Sequence, residues 1–97
     1  MNRAQTVDLL SRARDGSKEA LDEIFSRYAG RLLAIIRLRM GSDLRQRIES
    51  RDILQATLLR SFERFDQFAA SDTSSLMGWL ARIAQHEIGD QRDFHHR

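Results

Sequence analysis

Residues 51–68, RDILQATLLRSFERFDQF, determine the fold class that this chain is expected to adopt. At about 100° per residue, a helix through them places most of their large apolar side chains on one arc. Aromatic residues in such an arc are usually core, so we expect Phe62 and Phe65 to be buried. Ser50 can cap this helix, which we predict over about 51–67. The predicted core arc comprises Leu54, Leu58, Ser61, Phe62 and Phe65.

The segments on both sides of this stretch are also helical in character, with apolar residues spaced by threes and fours. The predicted helices span about 7–14, 18–40 and 75–93. Thr6 can cap the first, Ser17 can cap the second, and Gly41 ends the second. A polar connector at 42–50 has room for one helical turn, and residues 69–75 form a small polar loop. The apolar stripe of the last helix comprises Leu76, Leu80, Ile83, Ala84 and Ile88.

Composition limits the chain to one small, all-α domain over residues 1–97, a bundle of about four helices. The absence of proline and the presence of only 5 glycines argue against strands, which need frequent turn residues. The chain has no cysteine, no long apolar run and no signal-like N-terminus, so we expect a soluble, cytoplasmic protein without a membrane partner. The ending FHHR suggests a domain cut from a longer chain.

A second arc of the 51–67 helix is polar but includes one large aliphatic residue, Leu59. An exposed leucine among carboxylates and amides suits the contact surface of a partner protein, with an apolar anchor and a polar rim. A lone exposed leucine is also common on ordinary surfaces, and that alternative stays open. This arc comprises Asp52, Gln55, Ala56, Leu59 and Glu63. A third arc holds Arg60 and Arg64, which could bind phosphates or simply solvate the helix.

The last helix carries Trp79, Arg82, Gln85 and His86 opposite its apolar stripe. Aromatic and arginine planes stack on nucleobases, while amides and imidazoles hydrogen-bond to base edges, so this strip is typical of a surface that binds single-stranded nucleic acid. The basic residues favour the same partner, because Lys18 is the only lysine and the others are arginines, although a GC-rich genome gives the same bias. Alternatively, Trp79 folds back into the core.

The stretch His86-Glu87-Ile88-Gly89-Asp90 differs by one residue from the HExxH zinc motif. Glu87 falls within the apolar arc, and only His95 and His96 could supply a third ligand. We therefore expect no metal site. The chain also lacks a glycine-rich phosphate loop, a nucleophile motif and a pair of catalytic carboxylates, so we expect neither an enzyme nor a cofactor.

The order of these segments resembles region 2 of the extracytoplasmic-function sigma factors of bacterial RNA polymerase. LLSRARDGSKEALDEIFSRYAGRLLAI is similar to the opening of that region, with Gly16, Ser17, Ala20 and Tyr28 at the matching positions. RDILQATLLRSFERFDQF resembles the family's Asp-Val-Val-Gln-Glu/Asp-Thr-Phe segment, and GWLARIAQHEIGD resembles its Trp-Leu-x-x-Ile-Ala-x-Asn segment. The resemblance spans nearly the whole chain.

The resemblance implies a transcription initiation domain with two partners. The polymerase β′ clamp helices would bind Asp52 and Gln55, with Leu59 and Glu63 beside them. The non-template strand of the promoter −10 element would be captured, with one base flipped from the stack. The residues implied in DNA binding are Arg60, Arg64, Ser71, Asp72, Thr73, Ser74, Trp79, Arg82, Gln85 and His86. An anti-sigma factor would be a further partner.

Four positions depart from the family's pattern. Ala56 stands where Glu or Asp is usual, and Leu58 replaces Phe. Gln85 stands where Arg or an aliphatic residue is usual, and His86 occupies an Asn position. The second domain of such factors, which binds the −35 element, is absent from these residues. A helical interaction module or regulator without DNA-melting activity is therefore the alternative function.

Overall fold

The computed structural model describes residues 3–68 and 73–95, and the side chains of all of these except 73–75. It confirms an all-α bundle, with no strand in the described ranges. The helices are α1 (Arg3–Arg14), α2 (Lys18–Arg45), α3 (Ser50–Glu63) and α4 (Thr73–His95), with a 3₁₀ turn at Phe65–Gln67. The described helices include none with the length and apolar character needed to cross a bilayer.

Helix α2 is the centre of the bundle, because it packs against each of the other three helices. Its buried stripe follows the spacing expected from the sequence and includes Ile24, Leu32 and Ile36, which have no exposed surface. The predicted stripe of α4 is also confirmed. Its members Leu76, Leu80, Ile83, Ala84 and Ile88 are all buried.

The two ends predicted for the long helix are both present. The Ser17 side chain accepts a hydrogen bond from the backbone N–H of Ala20 at 3.1 Å, as an N-cap should. At the other end, Gly41 has φ 76° and ψ 167°, which interrupts the helical geometry before one further turn at the end of α2. This conformation is open almost only to glycine.

Two predicted caps are wrong, because the hydroxyl groups concerned face inward. Helix α1 begins at Arg3, three residues before Thr6, and Thr6 is buried on the side of α1 that packs into the bundle. Ser50 is the first residue of α3, and Glu49 precedes it in extended conformation. The Ser50 hydroxyl accepts a hydrogen bond from Arg37 Nε at 3.0 Å instead of capping the helix.

Helix α3 is rotated relative to the predicted core arc. Its buried positions are Ser50, Ile53, Thr57 and Ser61, of which Ser61 belongs to the predicted arc. Leu54 and Leu58 are half-buried against the core. The prediction that Phe62 is core is wrong, because 38% of this residue is exposed, whereas Phe65 is buried as expected. The Thr57 hydroxyl donates to the Ile53 carbonyl and the Ser61 hydroxyl to the Thr57 carbonyl, both at 2.7 Å. Hydroxyls satisfied within the helix can be buried at little cost.

Candidate protein and nucleic-acid interfaces

The outer surface of α3 is exposed as the sequence predicts. We call its members Asp52, Gln55, Leu59 and Glu63 the α3 outer face. All four are exposed, and Leu59 is 63% exposed. Within the described ranges, neither Asp52 nor Glu63 forms an ion pair within 4.0 Å. The face therefore presents two carboxylates without a basic partner around one apolar side chain.

An apolar groove that sequence reasoning missed continues from this face toward α2. We call it the α2–α3 groove. It is lined by Asp22, Phe25, Ser26, Ala29, Leu58, Leu59 and Phe62. The small residues Ser26 and Ala29 leave space on α2, and Leu59 and Phe62 form its exposed apolar wall on α3. The sequence signal for this groove was Phe62, which we had placed in the core.

Trp79 lies against an aromatic cluster and does not stand out from the surface. Its ring stacks on Phe68, with centroids 5.1 Å apart and planes inclined by 30°. It also meets the edge of Phe65 at 6.5 Å. The residue is half-buried, so the structure favours the alternative in which Trp79 folds back.

The side chains of Arg82, Gln85 and His86 are exposed on the outer arc of α4, and we call them the α4 strip. The structure adds a residue from α2 to this surface, because Arg39 Nη1 donates a hydrogen bond to Gln85 Oε1 at 3.4 Å. No sequence pattern connects positions 46 residues apart, so only the packing of α2 on α4 could show this pair. Arg92 holds the two helices together nearby, donating to the carbonyl oxygens of Arg39 at 3.0 Å and Met40 at 2.9 Å.

Arg60 is half-buried where α3 packs against α4. Its guanidinium lies 2.9 Å from the carboxylate of Glu87 and 3.9 Å from that of Asp90. The Glu87 side chain is 9% exposed and that of Arg60 is 34% exposed. This ion pair explains how an acid can stand within the apolar arc of α4. It also engages a guanidinium group that the sequence leaves open to phosphates or to solvent, and for which the resemblance implies a DNA contact. Arg64, by contrast, is exposed.

The remaining predicted DNA-binding residues lie outside what the structure describes. Residues 69–72, which include Ser71 and Asp72, are not among the described residues, nor are the side chains of Thr73 and Ser74. The metal motif is better defined. In the described part of the chain no three His, Cys, Asp or Glu side chains are grouped as metal ligands would be, and Glu87 pairs with Arg60.

Comparisons with known proteins add no relative to this description. A scan against protein-family models, a search of curated proteins and a search of solved structures each found no match for this chain.

Proposed function

We propose that this chain is a transcription initiation domain of the sigma region 2 type, which docks on the β′ clamp helices of bacterial RNA polymerase and captures the non-template strand of the −10 element. The proposed work is cytoplasmic and needs no covalent chemistry in this domain. The observation that carries the proposal is the separation of two exposed surfaces on consecutive helices. The α3 outer face is acidic and apolar, whereas the α4 strip is basic and amide-bearing.

The α3 outer face and the α2–α3 groove together suit a helical partner. Leu59 borders both surfaces, and Phe62 extends the apolar area toward α2. Asp22, Asp52 and Glu63 place carboxylates around this area, so a partner helix with apolar residues flanked by arginine or lysine is complementary. Clamp helices with such a surface are the proposed partner.

The test is a calorimetric titration of the chain with a purified β′ clamp-helix fragment. Leu59→Glu removes the anchor and adds a like charge to the acidic rim, so binding should be lost. Leu38→Glu is the matched control, because Leu38 is an 82% exposed leucine on another surface, and the same change there should leave the affinity unaltered. Circular dichroism checks that both variants are folded. If the wild-type chain is folded but shows no measurable binding to the clamp fragment, the proposal is contradicted.

The second candidate is a helical interaction module or regulator without DNA-melting activity. Two observations favour it. Trp79 is partly withdrawn into the aromatic cluster, and Arg60 is engaged by Glu87, so fewer side chains remain for DNA than the sequence suggested. This candidate predicts clamp or anti-sigma binding that survives alanine at Arg82 and His86, together with no binding of a −10 single strand.

A further inference from the structure

The seam between α2 and α4 carries a positive surface that the sequence does not show. Arg39 and Arg82 are both exposed, and within the described ranges neither has a carboxylate within 4.0 Å. Gln85 lies between them, because its Oε1 accepts a hydrogen bond from Arg39 at 3.4 Å and it stands three residues after Arg82 on α4. Three residues of helix rise by only about 4.5 Å, so the three side chains form one continuous patch.

The acids of α4 nearest to Gln85 are Glu87 and Asp90, and both lie beside Arg60 of α3. The next acids along the two helices are Asp43 and Asp93. Asp43 follows Arg39 by four residues, but the backbone break at Gly41 falls between them and no ion pair joins them. Asp93 is on the outer arc of α4 but eight residues beyond Gln85, which corresponds to about 12 Å along the helix. The nearest carboxylates on α4 thus already face the Arg60 guanidinium, and within the described ranges neither Arg39 nor Arg82 is paired with an acid.

The hydrogen bond from Arg39, at 3.4 Å between two exposed side chains, favours one orientation of the Gln85 amide. A guanidinium can only donate, so the atom it binds is the amide oxygen. The amide NH₂ group is then the end left for a ligand, and it can donate to a phosphate oxygen or to an acceptor on a base edge. Arg39 is thus a positioning residue for Gln85 as well as a cation in its own right.

We propose that Arg39 and Arg82 form a phosphate track for a single nucleic-acid strand across the α2–α4 seam, with Gln85 oriented by Arg39 to donate to the strand. This inference rests on the proposed function in one respect, which is that the strand is the −10 region of a promoter. Leu38 precedes Arg39 and is 82% exposed, so an apolar side chain is available one residue from the patch along α2. A single strand offers both phosphates and apolar base faces, which an acidic peptide does not.

The experiment measures binding of fluorescein-labelled 12-nucleotide single strands to the full chain by anisotropy between 50 and 200 mM salt. Each phosphate contact on a single strand contributes about 0.7 to the slope of log affinity against log salt. Arg39→Gln and Arg82→Gln should each lower the slope by about 0.7, so that each loss of affinity is about 2.6-fold larger at 50 mM than at 200 mM. Gln85→Ala should weaken binding without changing the slope.

Two variants and one competitor make the result specific. Arg27→Gln is the matched control, because Arg27 is an exposed α2 arginine paired with Glu23 at 2.8 Å, and its slope should equal that of the wild type. Arg39→Lys keeps the charge and a donor, so it should restore the slope that Arg39→Gln loses. A 12-residue polyglutamate should compete poorly. Equal competition, or equal slopes for Arg39→Gln and Arg27→Gln, would overturn the track.

The clamp titration separates this inference from the proposed function. Arg39→Gln should bind the clamp fragment like the wild type, because Arg39 lies on a different surface from the α3 outer face. Clamp binding without any strand binding at 50 mM salt would refute the track and leave polymerase docking intact. Strand binding that depends on Arg39 in a chain that ignores the clamp fragment would refute polymerase docking and leave the track intact.

Discussion

Replacing Arg60 with methionine should destabilise the fold much more than removing an arginine from a surface pair. Arg60 is the partner of Glu87, whose side chain is 9% exposed between α3 and α4. Without the guanidinium, the carboxylate keeps its buried position but loses the charge that compensates for its removal from water. Asp90 contributes little to the comparison, because it is 67% exposed and lies 3.9 Å from Arg60.

The structure sets the size of the effect. Breaking a fully buried ion pair by removing one partner costs about 3–5 kcal/mol. Here 34% of the Arg60 side chain is exposed, so water can partly replace it, and we expect a loss of about 2 kcal/mol in the free energy of unfolding. For a domain of this size, that loss lowers the melting temperature by about 10 °C. The double variant Arg60→Met/Glu87→Leu should recover most of the loss, because an apolar pair needs no compensating charge.

Thermal and urea unfolding followed by circular dichroism measure these values, with Arg27→Met as the control. The pairs Arg27–Glu23 and Arg60–Glu87 have nearly the same N–O distance, 2.8 and 2.9 Å, but Arg27 and Glu23 are 36% and 49% exposed. A surface pair of this kind contributes about 0.5 kcal/mol or less. Equal losses for Arg27→Met and Arg60→Met, or a double variant no more stable than Arg60→Met, would refute the argument that burial gives the pair its importance.

Three further predictions concern backbone and packing, each measured by urea unfolding. Gly41→Ala should lower the free energy of unfolding by about 2 kcal/mol, because φ 76° with ψ 167° strains a residue that has a Cβ atom. Gly30→Ala, in the regular part of α2, should instead raise it by about 0.5–1 kcal/mol. If both variants were stabilised, the backbone break at Gly41 would be contradicted. Because the Trp79 ring packs in the aromatic cluster, Trp79→Ala should lower the free energy of unfolding by about 3 kcal/mol and Trp79→Phe by less than about 1.5 kcal/mol. An unchanged free energy of unfolding for Trp79→Ala would show that the ring does not pack there. Phe62→Ala should cost about 1 kcal/mol and Phe65→Ala about 3–5 kcal/mol, in proportion to their burial, and the reverse order would contradict the orientation of α3.

The sequence was sufficient for the presence of the described helices and for the stripes that are plainly apolar. It was not sufficient for every helix end, because the helix predicted over about 51–67 ends at Glu63 and is followed by the 3₁₀ turn at Phe65–Gln67. The α2 and α4 stripes have large aliphatic residues at helical spacing, so periodicity alone placed them correctly. The Ser17 cap and the break at Gly41 were also predictable, because each depends on the chemistry of one residue and its immediate neighbours. Contacts between distant helices were not predictable, and Arg39–Gln85 and Arg60–Glu87 are both of this kind.

The caps at Thr6 and Ser50 failed for a related reason. A Ser or Thr near the start of a helix is a strong local signal, but the same hydroxyl is also suited to a buried position when it finds a partner there. Ser50 finds Arg37, which lies 13 residues earlier on α2. Local capping preference and tertiary hydrogen bonding compete for such a residue, and only the packing decides which one prevails.

The rotation of α3 has the largest consequence for function. The predicted arc placed Leu54, Leu58 and Phe62 in the core together with Ser61 but left out Thr57, because a hydroxyl residue gives no apolar signal. In the structure Thr57 and Ser61 take the most buried line, since each hydroxyl is satisfied by the carbonyl four residues earlier. With Thr57 and Ser61 on this line beside Ile53, Leu54 and Leu58 pack at the edge of the core and Phe62 is left exposed. The exposure of Phe62 beside Leu59 is therefore a result of how the core is packed, and it gives the proposed docking surface an aromatic wall that a polar-only arc would lack.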